Sequence, residues 1–224
     1  MLCIDGMIMQ QYRLRRWGVV ISCLYLIGCT AVKQTTPTDI PLAAQFYVID
    51  IDRGIREHTP PSAPVLYIPP VATIAQFRSK NLVFRVAENQ YERQPHLFFD
   101  TPQVMLRDQI NRWFVKSGLF SAITLNSDTP HDYVLEVALT GLYADNSIAT
   151  AKAVSELQFF LIDAAAKQGN VVFQTGLHID IPLTELTPTT AVAGWKRGLE
   201  KIMQTVENDL ADHFSVMSST QSEE

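Results

Sequence analysis

Three cysteines, five histidines and two aspartates two residues apart are the side chains here best suited to chemistry, and their placement decides what is available. Cys3, Cys23 and Cys29 all fall within the first 29 residues, and the chain beyond them has none. A body without thiols offers no disulfide, no thiolate nucleophile and no sulfur ligand for zinc. His58, His96, His131, His178 and His213 lie far apart and share no metal-ligand spacing, so they read as scattered surface or structural histidines. Asp50 and Asp52 would face the same way on an extended strand, as a carboxylate pair requires, but the polar side of an edge strand gives the same pattern. No glycine-rich phosphate loop, GxSxG elbow or HExxH occurs. The expectation is a protein that is not an enzyme and needs no cofactor or metal.

Composition narrows the class further. Hydrophobic residues make up 47% of the chain and charged residues 18%, enough apolar material for a core. Net charge is −5, and the first 28 residues are basic through Arg13, Arg15 and Arg16 against Asp5, so the remainder is more acidic still. An acidic body with no basic cluster excludes nucleic acid as the expected partner, because phosphate binding needs concentrated positive charge.

The last cysteine has a context of its own. Arginines at 13–16 precede an apolar run at 17–26, which is half the roughly 20 residues a membrane-spanning helix needs. Basic stretch, short apolar run and small residue are the parts of an export signal. The residues ahead of Met9 add Asp5 and no basic charge, so the natural start is expected at Met7 or Met9 rather than Met1. Leu26, Ile27, Gly28 and Cys29 resemble the lipobox of bacterial lipoproteins. That resemblance implies cleavage between Gly28 and Cys29, a diacylglycerol on the Cys29 thiol and an acyl chain on its new amino group. Multiple chains hold a protein to a membrane far better than one, at about 0.8 kcal/mol for each buried methylene. Thr30, where an aspartate would signal retention in the inner membrane, resembles an outer-membrane address, with the body facing the periplasm. Residues 29–44 are polar and proline-bearing and read as a tether.

Downstream, the pattern is that of one α/β domain over 45–214. Strands are expected at 45–51, 64–70 and 81–86, followed by "AENQYERQPHLFFD" as a hairpin partner or an ordered loop. Residues 100–118 carry a full set of helix signals: Asp100 or Thr101 as cap, Pro102 in the first turn, Gly118 at the stop. Strands follow at 120–125 and 131–145, then a long hairpin of 153–163 with 170–183. The last element places Val192, Trp195, Leu199, Ile202, Val206, Leu210 and Phe214 at spacings of three and four, an amphipathic helix with Gly194 and Gly198 on or beside its apolar face. Helix-on-sheet packing is the plain reading of that stripe, and a dimerising helix the sharper one. The tail 215–224 is expected to be disordered. Together these elements make a mixed, largely antiparallel sheet covered by two main helices.

The order "YVIDI", "VLYIPP", "LVFRVAENQYER", "PQVMLRDQINRWFVKSGLF", "DYVLEVALTGLYAD", hairpin and amphipathic helix resembles the ABC-type transport auxiliary lipoprotein family, which includes the lipoprotein of the paraquat-inducible intermembrane system. The resemblance covers roughly residues 42–214 and rests on pattern and order; Phe98-Phe99 stand where the family commonly has tryptophan. It implies an anticodon-binding-like or TolB-N-terminal-like sandwich. It also implies a partner carrying a mammalian-cell-entry (MCE) domain, the substrate-binding subunit of a lipid-moving ABC transporter. A homo-oligomer is compatible with it. A lipid- or lipopolysaccharide-binding assembly chaperone of the envelope is the alternative. With no catalytic constellation, function is expected in surfaces, and Arg93, His96, Phe98 and Phe99 have the aromatic and arginine composition of interface anchors. The competing reading makes both phenylalanines core residues beneath the first helix.

Overall fold

The computed structural model describes residues 46–60, 62–147, 150–166 and 169–221, with side chains through 216. Its elements are β1 (Phe46–Tyr47), β2 (Val65–Tyr67), β3 (Ala72–Thr73), a 3₁₀ turn (Ala75–Phe77), β4 (Asn81–Ala87), β5 (Gln90–Phe98), α1 (Pro102–Ser117), β6 (Ala122–Thr124), β7 (Tyr133–Asp145), β8 (Lys152–Asp163), β9 (Asn170–Pro182) and α2 (Pro188–Gln221). The strands form one mixed sheet of nine, an α/β arrangement with both main helices on one face.

β7 organises the sheet. One of its edges pairs antiparallel with β8 along its whole length, and β8 pairs in the same way with β9. The other edge takes three short strands in succession, all parallel: β2 at Leu66–Tyr67, β3 at Ala72–Thr73 and β4 at Phe84–Arg85. Prolines explain the shortness of β2: Pro64 and Pro69-Pro70 lack the N–H a ladder needs. Arg107 of α1 donates to the carbonyls of Ile68 and Leu125, satisfying the ends where β2 and β6 stop. Beyond β4 the order continues through antiparallel β5 to parallel β1.

β7 also shows how a pattern changes phase. Leu135, Val137 and Leu139 are buried, but an irregularity between Leu139 and Gly141 shifts the register, after which Leu142 and Ala144 continue the buried apolar series. On β8 the odd residues Ala153, Ser155, Leu157, Phe159 and Leu161 face α2, while Lys152, Glu156 and Gln158 face outward. The helix stripe Val192, Trp195, Leu199, Ile202, Val206 and Leu210 is buried against that face, so helix-on-sheet packing accounts for it. Gly194 and Gly198 permit the approach: an added Cβ at 194 would lie 2.5 Å from Ala153 Cβ, and one at 198 would lie 3.0 Å from Ser155 Oγ.

Two expectations change, and one left open is decided. The strand read at 45–51 shortens to two residues, because beyond Tyr47 the chain leaves β5 and runs along α1, where the Ile51 N–H is taken by the Gln109 side chain at 2.9 Å. Of the two readings of the stretch after β4, the hairpin partner is the one realised: Asn89 at φ 59 makes the turn and β5 folds back onto β4. The tail expected to be disordered from 215 is instead helical to Gln221; no glycine or proline interrupts α2 there, and Ser215 Oγ donates to the Asp212 carbonyl inside the helix. Thr101 takes the N-cap position without capping, its Oγ1 buried and unpartnered, while Asp100 Oδ1 accepts from the Thr101 N–H.

Candidate functional site

The carboxylates that offered themselves as a pair do not act as one. Asp50 meets Arg112 at 2.5 Å and Asp52 meets Lys116, each turned toward a cation on α1. The Lys116 hydrogen bond, with help from the Gly54 N–H, holds the Asp52 carboxyl below its ordinary range. The histidines also stay apart. His131 Nδ1 lies 2.7 Å from the Thr129 carbonyl with its ring against Tyr67; His178 sits between Glu156 and Asp180; His213 packs on Phe173. Among the described residues no group of three His, Cys, Asp or Glu is placed to hold a metal, and no helix is long and apolar enough to cross a membrane.

What the fold does assemble is a clamp on the arm that enters the body. Arg53 donates to Glu207 of α2 from Nε at 3.0 and 2.9 Å and from Nη2 at 2.6 Å, and spends Nη1 on the Ile55 carbonyl at 2.5 Å. Trp113 Nε1–H donates to the same carboxylate at 2.8 Å. The hydrogen bond with Glu207 holds the Arg53 guanidinium above even its ordinary range. Ile49 and Ile51 are buried on either side of Asp50, and the Glu57 N–H ends the run on the Lys116 carbonyl at 2.9 Å. Gly118, at φ 76, lets α1 stop and leaves room for the arm, since a Cβ there would lie 2.8 Å from the His58 carbonyl oxygen.

A second buried pair stands on the opposite face of the sheet. Arg85 and Asp145 are direct cross-strand partners of β4 and β7, and the Asp145 side chain is 0% exposed. Burial pushes that carboxyl up, but hydrogen bonds from Arg85 and from both the hydroxyl and N–H of Ser147 outweigh it and bring it down to about 2. The Arg85 guanidinium lies 5.2 Å from the Tyr143 ring centre, inside a trio completed by Phe77 and Tyr91. Sequence reasoning identified neither pair.

The predicted interface residues separate. Phe98 is 1% exposed and packs on Trp195 at 5.7 Å between ring centres, which makes it core and removes it from any surface. Phe99, the next residue, is 65% exposed. Arg93 and His96 are exposed on β5, with His96 edge-on to Tyr47 at 6.1 Å. β5 carries two extra residues between its pairings at Arg93 and Leu97, and Pro95 sits in that irregular stretch. The lipobox residues Leu26, Ile27, Gly28 and Cys29 lie outside the described residues. Among the described residues β9 pairs with β8 alone, leaving a 13-residue strand at the margin of the sheet.

No family model matches the chain, and no curated protein matches it in sequence. Solved structures do share its fold. The Xanthomonas campestris protein XCC0632, described as family DUF330, superposes with a TM-score of 0.64 at 16% identity, over 80% of this chain and 99% of that one. An uncharacterized protein superposes at 0.57 with 14% identity, over 74% and 97%. At such identities the likeness defines a fold class, the nine-stranded sheet with two helices, and nothing of function.

Proposed function

We propose that this chain is an accessory lipoprotein of the bacterial envelope, held to the outer membrane through Cys29, whose body works by contact with other proteins. In the finer reading its partner is the MCE-domain subunit of an ABC-type lipid transport system. The observation that carries the proposal is the join between anchor and body. A lipobox cysteine is followed by a short polar stretch, and the first residues of the body are then pinned along α1 and into the core through Ile49, Ile51 and the Arg53–Glu207 pair. A body held by its N-terminus benefits from such an entry, because a pull on the tether meets a buried, bidentate ion pair rather than a fraying end. The resemblance in element order supports the transport assignment.

Direct carriage of lipid, as in an assembly chaperone, has less support. Two grooves of about 530 Å³ flank the arm, but Asp50, Asp52, Arg53, Arg112 and Lys116 line one of them and Arg53, Arg197, Glu200 and Lys201 the other. These charged side chains stand beside Ile51, Trp113, Val115, Ile181 and Pro182, and both grooves are open to solvent rather than the closed apolar cavity an acyl chain fills.

Metabolic labelling with an alkynyl fatty acid, followed by affinity purification from detergent-solubilised membranes, tests the proposal. Wild-type chain should carry label that Cys29→Ala loses, and an MCE-domain subunit should be enriched in the eluate. Equal labelling of the two chains removes the anchor. Normal labelling without the MCE subunit removes the transport assignment and leaves the lipoprotein.

A further inference from the structure

From β1 into the extended chain that follows it, burial alternates sharply. Tyr47 and Ile49 turn inward, while Phe46 and Val48 turn out and are each 50% exposed. Phe99 joins them: its N–H donates to the Tyr47 carbonyl at 2.8 Å, and its ring meets that of Phe46 edge to face at 6.3 Å. Singly exposed apolar side chains are ordinary on a protein surface, but two phenylalanines in contact with each other and flanked by a valine form a patch. Phe98 shows that the core had room for a ring one residue away, so the exposure of Phe99 is a matter of strand phase.

We propose that Phe46, Val48 and Phe99 form a membrane-facing foot that rests in the headgroup–acyl boundary of the same bilayer that holds the Cys29 anchor. The proposal rests on the lipid-anchor reading. Sixteen residues separate Cys29 from Phe46. Whatever its conformation, a chain of that length reaches at most about 55 Å. The patch thus stands at the root of the tether, at an effective concentration near the bilayer in the millimolar range. At that concentration the weak interfacial affinity of three side chains is sufficient to orient a body that the anchor already retains. Lys80 completes the geometry: its ammonium donates to the Phe99 carbonyl at 3.0 Å, lies 3.6 Å from Asp100 and remains partly exposed, within reach of a lipid phosphate at the border of the foot. Because the body is acidic and the patch apolar, the contact should persist in high salt and on zwitterionic lipid, unlike a basic electrostatic patch.

The test uses the full chain, purified with its anchor and reconstituted into phosphatidylcholine vesicles that contain lipid brominated near the top of the acyl chain. Flotation with the vesicles reports the anchor. Tryptophan quenching reports the foot, comparing Phe99→Trp with Gln174→Trp, which places the probe on the exposed outer face of β9. The expected result is flotation of both, roughly twofold quenching and a blue shift for the probe at 99, and neither for the probe at 174, with no change in high salt. Flotation with equal quenching at the two positions overturns the foot and leaves the anchor standing; absence of flotation overturns both. A photo-crosslinking amino acid at position 46 in living cells gives a second readout that does not depend on the Trp variants. Lipid adducts support the foot, and a protein adduct as the main product, including one to a second copy of this chain, overturns it.

Discussion

Substituting Gly194 with alanine sets two physical effects against each other with opposite signs. In an isolated helix the change is favourable by about 1 kcal/mol, since glycine is the poorer helix former. In this fold the new methyl would lie 2.5 Å from Ala153 Cβ and 2.9 Å from Leu183 Cδ2. Neither neighbour has an easy escape: Ala153 is fully buried and has no side-chain torsion to adjust, and its strand is held on both edges by β7 and β9. The helix must lift or tilt, and overpacking of this kind costs about 1–3 kcal/mol. A contact this short belongs at the upper end of that range, so the net loss should be about 2 kcal/mol, or a fall in Tm of roughly 4–8 °C for a body of this size.

The assay is urea and thermal denaturation of purified protein, completed as a double-mutant cycle with Ala153→Gly. Alone, Ala153→Gly should cost about 1 kcal/mol for the lost methyl and the looser strand. In the Gly194→Ala background the same change opens the space the new methyl needs, so the pair should couple favourably by more than 1 kcal/mol. Gly198→Ala is the internal control, because its new methyl would be 3.0 Å from Ser155 Oγ and 3.4 Å from Ser155 Cβ, contacts that a small shift relieves. A Gly194→Ala protein that melts higher than its parent, or a cycle without coupling, would refute the close helix–strand contact as the reason for glycine at 194.

Three further outcomes follow from the buried groups. Phe98→Ala should cost about 3–5 kcal/mol of unfolding free energy and Phe99→Ala less than about 0.5; equal effects in urea denaturation would contradict the division of the pair. Glu207→Ala strands the Arg53 guanidinium and the Trp113 N–H, with an expected loss of about 3–5 kcal/mol, whereas Arg53→Met with Glu207→Leu should recover most of it. Asp145 is depressed from an ordinary 3.8 to about 2 in the fold, so its contribution is complete above pH 4 and lost as pH falls from 3.8 toward 2. A shift of that size corresponds to about 2 kcal/mol, and Asp145→Asn should flatten stability against pH within that window; an unchanged profile would remove the pair from the acid response.

The fold was legible wherever local pattern and tertiary outcome agree. α1 has its proline and glycine at the ends and its apolar residues at helical spacing, and it runs from Pro102 to Ser117. The β8–β9 hairpin follows from alternation on both strands and from Gly169, which turns at φ 63. What was not legible is the way β7 is shared. Its second edge holds β2, β3 and β4 in turn, and a two-residue strand such as β3 has no pattern of its own to read. The strand at 45–51 failed for a related reason: a run of β-forming residues records a preference for an extended backbone, but a helix side chain such as Gln109 satisfies that backbone as well as a neighbouring strand does.

The two buried ion pairs show what kind of information a sequence withholds. Glu207 follows Val206 and stands four residues after Met203 and three before Leu210, on the margin of the apolar stripe of α2, and Arg85 interrupts the apolar run of β4. A charge set inside an apolar period has to find a partner when the fold closes, because burying it alone costs several kcal/mol. That requirement is visible in one dimension and is a usable signal. Its answer is not: Arg53 stands 154 residues from Glu207, and Asp145 meets Arg85 only because β4 and β7 pair in one particular register. Moving that register by a single residue would turn Arg85 away from Asp145 and leave a carboxylate buried without its cation. The pair therefore also favours the native register over its neighbours, which a pattern of apolar residues repeating every second position along β7 specifies less sharply.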